Sequence, residues 1–247
     1  MTEGTGHIHL TLALTAHSET IVAGPTIASA RAALRALEAG GYSAEAIIGL
    51  DRATDGCRAF FSQPSLSDWP LGDLDFGDLG ASRNALAELA RGEVVAFLDA
   101  DDLFSENWLL EGVRRLEKAK EMGEDLILHP ELNVFFDAAN SMLLNISQRD
   151  ELYLGAYWAM RNYYDSLAMA PRRAFLDAPY AVRDRARNLG YEDWRWNLDT
   201  IARGWRHEIA PDTIIFKRRR DSSLVTELQA EQALLWPLEP LAIDGGL

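Results

Sequence analysis

A single cysteine, Cys57, stands in 247 residues. That excludes an internal disulfide and a structural zinc site built on paired thiolates, and it fits a reducing compartment. Basic charge is also scarce: 24 Lys and Arg face 38 Asp and Glu, for a net charge of −14. This argues against a nucleic-acid partner, because neutralising a phosphate backbone takes a basic surface. It argues equally against docking on anionic lipid by charge alone. No apolar run approaches the ~20 residues that span a bilayer. The first residues lack the charged and apolar blocks of a signal peptide, so the expectation is a cytoplasmic protein, either free or peripheral at the inner face of a membrane. No solenoid-period repeat or low-complexity tract is present. What remains, 48% apolar and 25% charged residues, is ordinary globular composition. The length suits one large α/β domain or two small ones. An anionic small-molecule substrate would need local help, from a metal ion or a few arginines.

The chain is organised around GEVVAFLDADDLFSENWLL, Gly92 to Leu110. Val94 to Leu98 is a short continuous apolar run, as expected of one strand buried on both faces. It ends in Asp99-Ala100-Asp101-Asp102, three carboxylates within four residues. Ser105 is expected to cap the next helix, with Glu106 in its first turn. A buried strand delivering acids to its carboxyl end matches the usual ligand position in an open α/β sheet. Like charges so close repel unless a cation neutralises them, and hard oxygen ligands suit magnesium or manganese. The bland alternative is a solvated acidic turn.

Upstream, residues 8–16 alternate, with Ile8, Leu10, Leu12 and Leu14 on one side, and predict a strand with one apolar face. Residues 26–39 predict a helix stopped by Gly40-Gly41, and Ala46 to Leu50 a second strand ending at Asp51 and a turn, Thr54-Asp55-Gly56. Strand, helix, strand is a βαβ unit, so the sheet is at least partly parallel. Residues 57–80 read as loop with at most one strand, and Ala81 to Arg91 as a helix feeding the central strand. Downstream, residues 106–122 predict a helix and 125–129 a strand. Leu132 to Phe136 and Met142 to Ile146 form an expected antiparallel pair, making the sheet mixed. Residues 150–190 are irregular and rich in aromatics. Tyr191 to Trp196 opens the last clear helix, stopped by Gly204, before strands at Ile209 and Thr213 to Phe216. The division expected is one domain over residues 1–224 and a helical tail over 225–247, its short helix broken at Pro237. Leu234, Leu235 and Trp236 are expected to pack on the body or on a partner.

Three strand ends thus carry polar or acidic groups on one sheet edge: Thr15 to His17, Asp51, and Asp99 to Asp101. In this arrangement the chain resembles the family 2 glycosyltransferases over about residues 8–223. GASRNALAELARGEVVAFLDADD is similar to that family's helix, strand and DxD signature, GYEDWRWNLDTIARG to its later acidic motif, and FKRRRDSSL to its basic closing segment. The resemblance implies a single GT-A-like α/β domain, with a mixed, mainly parallel sheet flanked by helices. It implies a nucleotide-diphosphate sugar donor, a glycan or lipid-linked glycoside acceptor, and Mg2+ or Mn2+ as cofactor. Asp101 would bind that metal. Asp99 would sit near the donor ribose or a metal-bound water and help hold the ion. Thr15 and His17 fall where the nucleotide base lies, with His17 in place of a common aromatic. Asp51 would contact base or ribose, although Arg52 intrudes into the family's turn as LDRATDG. Arg83 and Asn84 match an Arg-Asn pair facing the nucleotide, and Arg218, Arg219 and Arg220 would close on the pyrophosphate. Asp193 matches the catalytic base of inverting members, with Glu192 beside it on the acceptor side.

Each assignment has a plainer rival. Glu192 and Asp193 also suit a helix N-terminus, and His17 a polar strand end. Trp194 shares a face with Leu198 and Ile201 and reads as core, leaving Trp196 to stack on an acceptor sugar. His129 and His207 read as structural, and Tyr163, Tyr164 and Asp165 either line the acceptor side or only cover the sheet. At the level of function the rivals are a sugar-nucleotidyltransferase and a catalytically inactive sugar- or nucleotide-binding module. The first is disfavoured because Thr15 to Gly24 has one glycine and no basic residue.

Overall fold

The computed structural model describes residues 7–221 and 224–236. β1 (Leu10–Ala16) is buried along its whole length, not on one face alone. It lies between two parallel neighbours, and both faces of such a strand are covered. Thr11 and Thr15 tolerate this because their hydroxyls donate to Glu45 and Asp99, at 2.7 and 2.8 Å. α1 (Ala23–Ala39) packs through Ile27, Ala30, Ala33 and Leu37, and Gly41 at φ +92 turns the chain after it. β2 (Ala44–Asp51) follows. The turn expected at Thr54 is a helix start: the Thr54 hydroxyl accepts from the Cys57 N–H and caps α2 (Asp55–Phe61). Gly56 in the first turn hid this helix from a propensity reading. β3 (Leu71–Leu74), α3 (Leu79–Leu89, capped by Asp78) and β4 (Val94–Asp99) complete a parallel order β3-β2-β1-β4. Gly92 is required where it stands, since a Cβ there would come within 2.4 Å of the Thr11 backbone nitrogen.

Beyond β4 the pattern changes. β5 (Leu103–Phe104) makes a short edge, so Ser105 is drawn into the sheet: its hydroxyl accepts the Ile214 N–H at 2.9 Å. It therefore does not cap α4 (Trp108–Glu121), whose N-cap is Asn107. The two strands expected from 125 to 136 are one, β6 (Leu126–Asp137), which turns back as β7 (Ser141–Leu144) in the expected antiparallel pair. Irregular chain carries β8 (Met169–Pro171) and α5 (Arg172–Asp177), then α6 (Glu192–Ala202), entered through Tyr191 at φ +66. The final strands also merge, into β9 (Arg206–Arg219), parallel to β6, so the basic segment is largely strand. α7 (Leu224–Ala230) follows.

The result is one mixed sheet ordered β3-β2-β1-β4-β8-β6-β9-β5, with β7 against β6. Parallel pairing fills the first half and recurs in β6/β9; the remaining pairs are antiparallel. A second apolar cluster of Trp158, Tyr164 and Leu198 lies beside the main core, with Trp194, Ile201 and Leu235 packed on it. Of the tail residues expected to pack, Leu235 lies on this cluster and Leu234 is exposed; Pro237 lies outside the described residues. No helix among the described residues is long and apolar enough to cross a membrane.

Candidate active site

A cleft of about 850 Å³ opens at the carboxyl ends of β1, β2 and β4, where ligands bind in open α/β sheets. The start of α6, residues 160–166, the end of β9 and α7 close its other side. Asp101 and Asp193, far apart in sequence, both line it, as do Thr15, His17, Asp51, Asp99, Glu192 and Arg220. Arg83, Asn84 and Trp196 do not line it.

Asp99 closes β4 and is fully engaged. Its carboxylate accepts from the Thr15 hydroxyl at 2.8 Å, from Arg83 Nη2 at 3.0 and 3.2 Å, and from Lys217 Nζ at 3.4 Å. Burial alone would raise its pKa; Arg83, Lys217 and the Thr15 hydroxyl outweigh that and hold it well below the usual carboxylate range. The structure therefore corrects two expectations. Asp99 is neutralised by side chains and has no oxygen turned free for a metal. Arg83 faces no nucleotide: its side chain is fully buried beneath the cleft, between Asp99 and Glu192, with Nη1 3.6 Å from Glu192 Oε1. Asn84 is likewise turned away, exchanging hydrogen bonds with the Tyr180 backbone.

Asp51, at the end of β2, is also saturated. Its carboxylate accepts from the backbone N–H groups of Phe76, Gly77 and Asp78 and from the Ser82 hydroxyl. Burial opposes ionisation, but these bonds prevail and lower its pKa. Asp51 thereby fixes the loop that walls this end of the cleft. The His17 ring, on the rim, bonds through Nδ1 to the Asp51 carbonyl at 2.8 Å.

Across the cleft stand Glu192 and Asp193 in the first turn of α6. Burial, then the neighbouring Asp193 charge, pushes the Glu192 carboxyl up to about 7, despite Arg83. Asp193 is raised too, by burial and by Asp165, while its Oδ1 accepts the Trp194 N–H at 2.7 Å. The two tryptophans change places relative to expectation. Trp196 is buried, 1% exposed, and stacks on Phe175 and Tyr180 at centroid distances of 4.9 and 5.1 Å, so it can meet no acceptor. Trp194 packs on the second cluster and also lines the cleft. α6 is wedged between two clusters and has two apolar faces; the i, i+4, i+7 spacing exposed only one of them.

The basic segment is mostly paired. Arg218 lines the cleft, and its Nε donates to Asp137 at 2.7 Å. Arg219 lies over the Phe135 ring, 3.7 Å from Asp165. Arg220 Nε approaches Asp101 at 3.3 Å, and its Nη1 approaches Glu19 at 3.6 Å. Asp101 is the acid of the DxD that stays turned to the cleft with one cation beside it. Burial raises its pKa, and Asp99 and Glu19 add to that against Arg220. No three His, Cys, Asp or Glu among the described residues form a group able to hold a metal ion unaided. A magnesium-type ion still fits, because such ions take one or two carboxylates and complete their shell from substrate phosphates and water. Asp101 is the residue that would hold it.

The lining residues that the sequence did not mark as site residues include Glu19, Asp102, Lys217 and, left undecided there, Asp165. The signal for Lys217 was the strand alternation through Thr213, Ile215 and Lys217, all buried, but adjacent Ile214 and Phe216 leave its phase ambiguous. His129 and His207 are in the core, as expected, 2.8 Å apart and stacked with Tyr164.

The family model "Glycosyl transferase family 2" matches residues 17–176. No match is found among curated proteins. Among solved structures, S. aureus TarS 1–349 aligns with a TM-score of 0.59 at 12% identity, over 85% of this chain and 60% of that one. The same protein in complex with UDP-GlcNAc gives 0.57 at 14%, over 87% and 60%. A further TarS structure gives 0.62 at 12%, over 86% and 37%. The chain thus spans about 60% of the length of TarS 1–349, and at these identities the likeness concerns the fold.

Proposed function

The chain belongs to glycosyl transferase family 2, and on that premise we propose that it moves a sugar from a nucleoside diphosphate donor to a hydroxyl of a glycan or lipid-linked glycoside, with inversion. The observation that carries this reading is the sharing of one cleft by Asp101 and Asp193. Attack on an anomeric carbon needs a group within hydrogen-bond reach to take the acceptor's proton. Asp193 is that group, since a carboxylate of raised pKa is a stronger base than an ordinary one. Glu192 and Trp194 lie beside it on the acceptor side. Thr15 and Asp99 form the floor under the donor ribose, and His17 and the loop pinned by Asp51 flank the base. Arg219 and Arg220 are the cations nearest to hand for the diphosphate. Mg2+ or Mn2+, held by Asp101 and the donor phosphates, would supply Lewis-acid stabilisation of the leaving diphosphate. With one displacement and no covalent enzyme intermediate, the anomeric centre inverts. We place the protein in the cytoplasm, free or peripheral at a membrane face, where nucleotide sugars and nascent glycans meet.

TarS was solved with UDP-GlcNAc, which makes UDP-sugars the first donors to try. The test is a screen of UDP-, GDP-, dTDP- and CMP-sugars for hydrolysis and thermal stabilisation, with and without manganese. Asp101→Ala should abolish metal-dependent donor binding. Donor binding by Asp101→Ala at the native affinity in manganese would refute the metal assignment, and stabilisation by none of these sugars would refute the donor class.

A further inference from the structure

Lys217 has no counterpart among the residues expected at this site, yet it stands at the electrostatic centre of the cleft. Its side chain is 7% exposed, and its ammonium lies 2.7 Å from Asp165, 2.9 Å from Asp102 and 3.4 Å from Asp99. These acids come from three separate places: the end of β4, the turn after it, and the loop before β8. An ammonium is a compact point charge with three donors, one for each of these carboxylates. The surroundings keep the acids turned to it. Asp102 Oδ1 also accepts the Arg218 backbone N–H at 2.8 Å, so that carboxylate is tied to β9 itself. Asp165 Oδ1 also accepts the Ser166 hydroxyl and the Leu167 N–H. Asp99 is shared with Arg83 and Thr15.

We propose that Lys217 is a built-in cation occupying the carboxylate centre of the cleft, so that a divalent ion enters only with the donor's diphosphate, at Asp101. The diphosphate half of this statement rests on the glycosyltransferase reading; the Lys217 half rests on geometry alone. In the free protein, Asp99, Asp102 and Asp165 already face a cation supplied from within. Asp101 is left with Arg220 as its neighbour, too small a donor set to keep an ion without phosphate oxygens. The free protein would then ignore the cell's divalent ions, and metal loading would be coupled to donor loading.

The test uses the whole chain and Mn2+ followed by electron paramagnetic resonance. Wild type should bind Mn2+ about tenfold or more tightly (~1.4 kcal/mol) in the presence of whichever of UDP, GDP, dTDP or CDP it binds. Equal Mn2+ affinity with and without nucleotide overturns the proposal. Lys217→Ala vacates the centre and should gain nucleotide-independent Mn2+ binding, whereas Lys217→Arg should not. A folded Lys217→Ala that gains none shows that the lysine holds no ion's place. Should Lys217→Ala fail to fold, the wild-type titrations decide. If none of the four nucleotides binds under any condition, the glycosyltransferase reading falls. The Lys217→Ala titration, which contains no nucleotide, then decides the role of the lysine separately.

Discussion

On the strand side of the cleft Asp99 is held ionised by Arg83, Lys217 and Thr15, while on the helix side burial and mutual repulsion raise the pKa values of Glu192 and Asp193. Both sides are similarly enclosed, with the Asp99 and Glu192 side chains 19% and 12% exposed, so burial does not set them apart. The number of cations in contact does. Asp99 meets two, whereas Glu192 has only the far nitrogen of a guanidinium that Asp99 already shares. Acids pushed apart in this way divide the work between a permanent anion and a proton acceptor.

The difference can be broken most severely at the acceptor side. Asp193→Asn should lower transfer by about 10²–10⁴-fold, the range for loss of a positioned base, with donor affinity unchanged in a binding assay. Transfer at the native rate would move the base elsewhere. Next in size, Arg83→Met removes the cation that contacts both Asp99 and Glu192 and should cost about 3–5 kcal/mol in urea unfolding, as breaking buried pairs does. The loss should be greater at pH 8 than at pH 5. Without Arg83 the depressed Asp99 pKa moves back toward its unfolded value, a loss already present at pH 5. The Glu192 pKa rises further above its unfolded value, so folding is penalised more once Glu192 must ionise. A loss independent of pH would mean that Arg83 only fills space. The mildest test leaves the protein intact. With Asp193 raised by burial and by Asp165, the rate should fall as pH drops along an acid limb above the ordinary carboxylate range, because a protonated carboxyl accepts no proton. An acid limb near 4, the ordinary range for Asp, would erase the distinction between the two sides.

Legibility in the sequence follows the same geography. β1, β2 and β4 announce themselves because parallel strands covered on both faces must be apolar runs, and their carboxyl ends mark the cleft before any coordinates exist. Asp51, Asp99 and Asp101 were found in that way, and Asp193 through the resemblance of its segment to the family's later acidic motif. Their partners were not. That Asp51 is consumed by backbone N–H groups depends on a loop 25 residues away, and the burial of Arg83 depends on Glu192, which follows it by more than a hundred residues. Trp194 and Trp196 were exchanged because periodicity reports that a helix has an apolar face but not how many neighbours it has. Lys217 was missed because a basic run looks uniform until pairing with β5 and β6 sets which side chains turn inward.

That pairing has a consequence for how the chain tolerates change in length. Pro130 and Leu132 are two positions apart on β6, but their partners Ala210 and Ile214 are four apart on β9, and Asp212 takes φ +60 in the excess. Side chains alternate along a strand, so the parity of this short irregularity determines that a lysine enters the cleft at 217. Deleting or inserting one residue between 210 and 217 would leave composition and charge almost untouched, yet present the neighbouring side chain to Asp99, Asp102 and Asp165. Such a frame of one should be far more damaging than most substitutions in the same segment, and a compensating single-residue change on the other side of the irregularity should rescue it.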